Sequence, residues 1–113
     1  MPDGFVKLRK GEKRPVYGQV TMLTGTLTVA GTPAPTATLY GADGNIVPGF
    51  SAIGVSGYDS GARTAPRVWL LLNTAGLSAG FYTLMFVFTG NGSDGSSRIY
   101  EPNVGVQILA ETE

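Results

Sequence analysis

The sequence predicts an all-β protein, an antiparallel β-sandwich of seven to eight short strands, and three observations predict it. Apolar side chains recur at every second position in run after run, the period of a strand with one buried face. Seventeen glycines and seven prolines fall between those runs, where turns joining short strands need them. No stretch sustains a helical period, and strands at such close spacing suit a sandwich better than a closed barrel or a propeller. With 113 residues there is material for one core. Only 14% of the residues are charged, against roughly 25% in ordinary domains, so Gly, Ser, Thr and Asn must supply much of the surface.

Each element follows from its local pattern. Val16, Val20 and Met22 alternate with Tyr17, Gln19 and Thr21 in the first core strand. Past Gly25 the inward parity passes to Leu27 and Val29, which predicts a bulge or tight turn at that glycine. Pro33 and Pro35 cannot donate to a ladder, so residues 31–35 form a connection, and the next strand runs from Thr36 to Tyr40. Asp43 and Gly44 have the composition of a two-residue hairpin turn, in which both central residues take positive φ. Residues 46–55 read as one broken strand or two short ones, and residues 56–66 as a long polar loop. Residues 67–72 are apolar on both faces, so they form a central buried strand or one whose outer face meets something else. In residues 80–90, Tyr82, Leu84, Phe86 and Phe88 share one face while Phe81, Met85 and Val87 share the other. Residues 91–97 close a hairpin. The last strand, 98–110, turns Val104, Val106 and Ile108 inward, and Pro102 makes it an edge or gives it a bulge.

The chain divides into a basic N-terminal arm, residues 1–14, and a β-sandwich domain, residues 15–113. Lys7, Arg9, Lys10, Lys13 and Arg14 put five of eight basic residues in the arm, although the net charge of the chain is zero. Phe5, Val6 and Leu8 form a short apolar stretch able to add a strand to an exposed edge, and residues 11–15 suit a hinge. Such an arm is expected to be dispensable for folding and to strengthen assembly by crossing to a neighbouring subunit. Its charge would make that assembly weaken with salt.

The residue inventory excludes whole classes of chemistry. There is no histidine and no cysteine, which removes Ser-His-Asp and Cys-His catalysis, disulfides, and thiolate or imidazole metal sites. No enzyme activity and no cofactor is expected. Asp43, Asp59, Asp94 and Glu101 are expected to be surface carboxylates, since a small sandwich has little room for a cleft between them. Gly90, Gly92 and Gly95 match a dinucleotide-loop spacing, but β-leaning residues follow where a helix is required, so this is a hairpin loop. No membrane span and no signal-peptide core is present, so synthesis in the cytoplasm is expected. Nucleic acid is disfavoured as a partner, because the arm has few aromatic residues and the remainder is acidic.

Leu77, Gly80 and Tyr82 carry the one local motif. A leucine, a glycine three residues on and a tyrosine two further resembles the tyrosine corner of immunoglobulin-like sandwiches, whose hydroxyl bonds a backbone group upstream. The chain is similar to the disulfide-free immunoglobulin-like modules of bacteriophage virion and bacterial surface proteins, departing from antibody-type domains in lacking a cysteine pair and in the position of Trp69. That resemblance implies a structural or adaptor role in a virion, as head-completion, tail, baseplate or decoration protein, forming a homo-oligomer or larger particle with other protein subunits. Trp69, Leu71, Met85 and Val87, taken as lying on adjacent strands, would give an apolar interface. The alternative is a carbohydrate-binding or adhesion module of a bacterial surface protein, with Trp69, Tyr58 or Tyr40 stacking on a glycan.

Overall fold

The alternation between apolar and polar positions produces ten strands and no helix among residues 4–59 and 61–109, the part of the chain that the computed structural model describes. They are β1 (Gly4–Arg9), β2 (Lys13–Gln19), β3 (Leu27–Val29), β4 (Thr36–Gly41), β5 (Ile53–Gly54), β6 (Gly57–Tyr58), β7 (Arg67–Asn73), β8 (Gly80–Gly92), β9 (Ser97–Tyr100) and β10 (Asn103–Leu109). The larger sheet has the order β1-β10-β8-β4-β5, with β3 and β9 paired to the far end of the 13-residue β8. The smaller sheet has the order β2-β7-β6. All pairings are antiparallel except that of β1 with β10, which is parallel from Gly4↔Val104 to Arg9↔Leu109.

The core lies between the two sheets. Leu84, Phe86 and Phe88 of β8 meet Val16 of β2 and Val68, Leu70 and Leu72 of β7, with Leu39 and Val106 alongside. Burying residues of this size contributes about 1.5–3 kcal/mol each relative to exposure, which drives the two sheets together. Gly18 on β2 lets them close, because a Cβ there would stand 2.5 Å from Cδ2 of the fully buried Phe86 ring.

Several expectations change. The arm is part of the sandwich: Val6 packs against the core and Leu8 is buried within it, while Phe5, Lys7 and Arg9 take the outward positions of β1. The expected hinge is the tight β1–β2 turn, with Gly11 at φ +92° and the Glu12 amide donating to the Arg9 carbonyl. Buried Thr74 holds that turn, its hydroxyl 2.9 Å from the Arg9 carbonyl and 2.8 Å from that of Glu12. Met1 to Asp3, also assigned to the arm, lie outside the described residues.

Of the two alternatives at Gly25 the structure has the turn, a bend with Gly25 at φ +75° where the chain passes from the smaller sheet (β2) to the larger one (β3), and no bulge within one strand. At the Asp43–Gly44 turn only Gly44 has positive φ, +83°; the Gly44 amide donates to the Gly41 carbonyl, and the Gly41 amide to that of Asn45. Pro102 interrupts the expected last strand without bulging it: β9 before it is an edge that, among the described residues, pairs only with β8, and β10 after it is not an edge. Phe88↔Tyr100 and Met85↔Asn103 keep one register on both sides of it, the Phe86 amide donates to its carbonyl, and β10 lies between β1 and β8. The loop of residues 56–66 contains the short strand β6.

Candidate functional site

The residues of the motif meet at the start of β8. Leu77 is buried, Gly80 has φ +150°, and the Tyr82 hydroxyl donates to the Ser78 carbonyl at 2.7 Å. That bond is exposed to solvent. Lys10 closes the same corner by donating from Nζ to the Leu77 carbonyl at 3.0 Å.

The apolar positions do not form one band. Trp69 and Leu71 stand on the outer face of the smaller sheet, and Met85 and Val87 on the outer face of the larger, so the sandwich separates the two pairs. Sequence alternation gives each residue its face, but only the long-range pairing of β7 with β2 shows that β7 and β8 belong to different sheets. Of the arm residues, Phe5 joins the Met85 face, whereas Val6 and Leu8 turn to the core.

The outer face of the larger sheet is therefore wider than expected. Its rows run Phe5-Gly105-Thr83-Tyr40, then Lys7-Gln107-Phe81, with Met85, Val87 and the Thr89–Ile99 pair further along β8. Phe5 is 58% exposed, Phe81 56% and Ile99 70%. Pro33, Ala34, Val87 and Ile99 line a shallow apolar depression of about 220 Å³ at one end.

On the smaller sheet, Tyr17 and Trp69 are direct cross-strand partners with ring centroids 5.6 Å apart and planes at 46°. The Arg67 guanidinium lies 5.0 Å from the Tyr17 centroid. Tyr17 went unrecognised because nothing local pairs it with Trp69. Of the other two aromatic residues considered for stacking, Tyr58 packs against the core and Tyr40 belongs to the larger sheet. Beside Tyr17 a cleft of about 670 Å³ is lined by Gln19, Thr21, Arg67 and Glu101 over Val20, Pro102 and Val104.

The carboxylates serve local structure. Asp43 is held below the ordinary aspartate value, first by the Asn45 backbone amide and then by the Asn45 side chain. The Ser96 hydroxyl, then the Ser96 amide, lowers Asp94 in the β8–β9 turn. Glu12 is lowered chiefly by the Arg9 amide, with Arg14 adding to the effect. Asp59 pairs with Arg67 at 3.3 Å and Arg63 at 3.8 Å. Glu101, exposed on the cleft, has no partner among the described residues.

No family model matches the sequence, and neither does any curated protein. Among solved structures the chain is similar to a family 123 glycoside hydrolase from Clostridium perfringens, at 9% identity and a TM-score of 0.44, over 94% of this chain and 23% of that one. It is also similar to CopC from Methylosinus trichosporium OB3b, at 16% identity and a TM-score of 0.38, over 86% of this chain and 95% of that one. The chain thus spans less than a quarter of the hydrolase's length.

Proposed function

We propose that this chain is a non-catalytic structural or adaptor module that assembles with further subunits through the outer face of its larger sheet. The observation that carries the reading is the group of exposed apolar side chains Phe5, Phe81 and Ile99 on that one face, with Met85 and Val87 between them. Covering those side chains on association would release about 25 cal/mol for each Å² of apolar surface.

The immunoglobulin-like form of this proposal draws on three features, and its phage-virion form on the sequence resemblance alone. β1 runs parallel to β10 at one margin of the larger sheet, β2-β7-β6 faces it as a three-stranded layer, and Tyr82 reaches back to Ser78 at the start of β8. Sedimentation or light scattering over a range of concentrations tests the assembly. The protein should exceed the mass of one chain at high micromolar concentration, and Phe81→Lys with Ile99→Lys should return it to one chain with unchanged circular dichroism. A native protein that stays at one-chain mass throughout would rule the proposal out.

A further inference from the structure

On the opposite sheet from the assembly face, and independently of it, Tyr17 pairs with Trp69 on one side and borders on the other a cleft with Gln19, Arg67 and Glu101 in its lining. We propose that this surface binds a neutral oligosaccharide, one pyranose unit lying on Trp69 and the next directed past Tyr17 into the cleft bounded by Gln19, Arg67 and Glu101.

Trp69 is shaped as a platform. A Cβ on Gly57, its partner on β6, would lie 2.6, 2.7 and 2.8 Å from Cζ2, Cε2 and Nε1 of the indole. Gly57 thus leaves the room beside it to the indole, and Tyr17 flanks that ring on the outer face of the sheet. A pyranose has an apolar face of C–H groups that suits such a surface, and its hydroxyls radiate from the rim, where polar side chains can meet them.

Two of those polar side chains already make a hydrogen bond within the protein. Gln19 Nε2 donates to the Ala65 carbonyl at 3.2 Å, which leaves its amide oxygen to accept. Arg67 Nε is held by Asp59 at 3.3 Å, which leaves its terminal nitrogens to donate. The Glu101 carboxylate can accept from two neighbouring hydroxyls at once. These two solvent-exposed bonds narrow the freedom of the Gln19 and Arg67 side chains, which lowers the ordering cost of binding. At about 670 Å³ the cleft falls within the usual size of small-molecule sites, roughly 300–1,000 Å³.

The same inventory argues against other occupants. A protein interface depletes its centre of charge, whereas here Arg67 and Glu101 both face the cleft. A nucleic-acid strand needs a positive groove along its phosphates, and Asp59 and Glu101 cancel the charge of Arg63 and Arg67. Glu101 also disfavours an anionic sugar.

Trp69 is the single tryptophan of the chain, so intrinsic fluorescence reports the site alone. Xylohexaose, maltohexaose, mannohexaose and chitohexaose are titrated separately, each beside its monosaccharide. A saturable change of Trp69 emission with at least one hexasaccharide, and none with its monosaccharide, is expected. Glu101→Gln should weaken that binding about tenfold, the worth of one charge-assisted hydrogen bond, without moving the thermal midpoint. Failure of all four to alter the emission up to their solubility limits would overturn the proposal, as would equal affinity in Glu101→Gln. So would an emission change that follows protein concentration and mass without sugar, since the platform would then be a protein contact.

Discussion

At Gly18 the two sheets approach until a methyl group no longer fits. Phe86 is wholly buried and cannot yield, so Gly18→Ala should destabilise the domain by about 1–3 kcal/mol, read from the denaturant midpoint. No pattern within the sequence singles out that glycine, because its constraint comes from a side chain 68 positions away on another sheet. Tyr82 is the opposite case. The spacing of Leu77, Gly80 and Tyr82 pointed to the bond that the hydroxyl makes, but not to its exposure, which depends on what covers Ser78. Water can replace the lost donor in Tyr82→Phe, so the expected cost is about 0.5–1 kcal/mol, below that of orphaning a buried carbonyl. A midpoint lowered by more than that would mean that water does not reach the Ser78 carbonyl once the hydroxyl is gone.

Among the elements, β1 shows how charge density obscured a legible pattern. Its residues alternate Phe5 out, Val6 in, Lys7 out, Leu8 in and Arg9 out, a half-buried strand that five nearby basic residues made look like a solvated arm. Removing the chain before Lys10 should therefore destabilise the domain instead of sparing it. Loss of Leu8 from the core alone is worth about 2–5 kcal/mol, and β10 would be left as an unpaired edge prone to association. Circular dichroism and a denaturation series on the truncated protein test this. The strands flanking the hairpins were readable from parity alone, as β8 and β10 show, whereas the distribution of strands between sheets was not, because β2 and β7 pair across some fifty residues. That one ambiguity joined Trp69 and Leu71 to Met85 and Val87. The turns carry a pH dependence with a defined sign. Asp43, Asp94 and Glu12 are lowered in the fold, so the stability they contribute is complete above their unfolded values, 3.8 for the aspartates and 4.5 for the glutamate. It is lost as pH falls through the lower folded values. Thermal midpoints should drop as the solution is acidified below that range, and drop less in Asp94→Asn.

The molecule as a whole measures 49 × 22 × 22 Å, drawn out by the length of β8 and its hairpin with β9. Because β1 pairs within its own chain, subunit contact through the larger sheet would rest on apolar area and not on a charged arm. Assembly should consequently hold or strengthen in sulfate, where apolar burial is favoured; a fall in mass with added salt would restore the electrostatic explanation. The parallel pairing of β1 with β10 has a mechanical consequence. Gly4 stands opposite Val104 and Arg9 opposite Leu109, so the chain enters β1 at one end of the ladder and leaves β10 at the other. Tension applied through those two strands pulls along the ladder and loads its hydrogen bonds together in shear, instead of peeling them one at a time. Strung between neighbours by these strands, the domain would resist stretching far better than its modest core suggests.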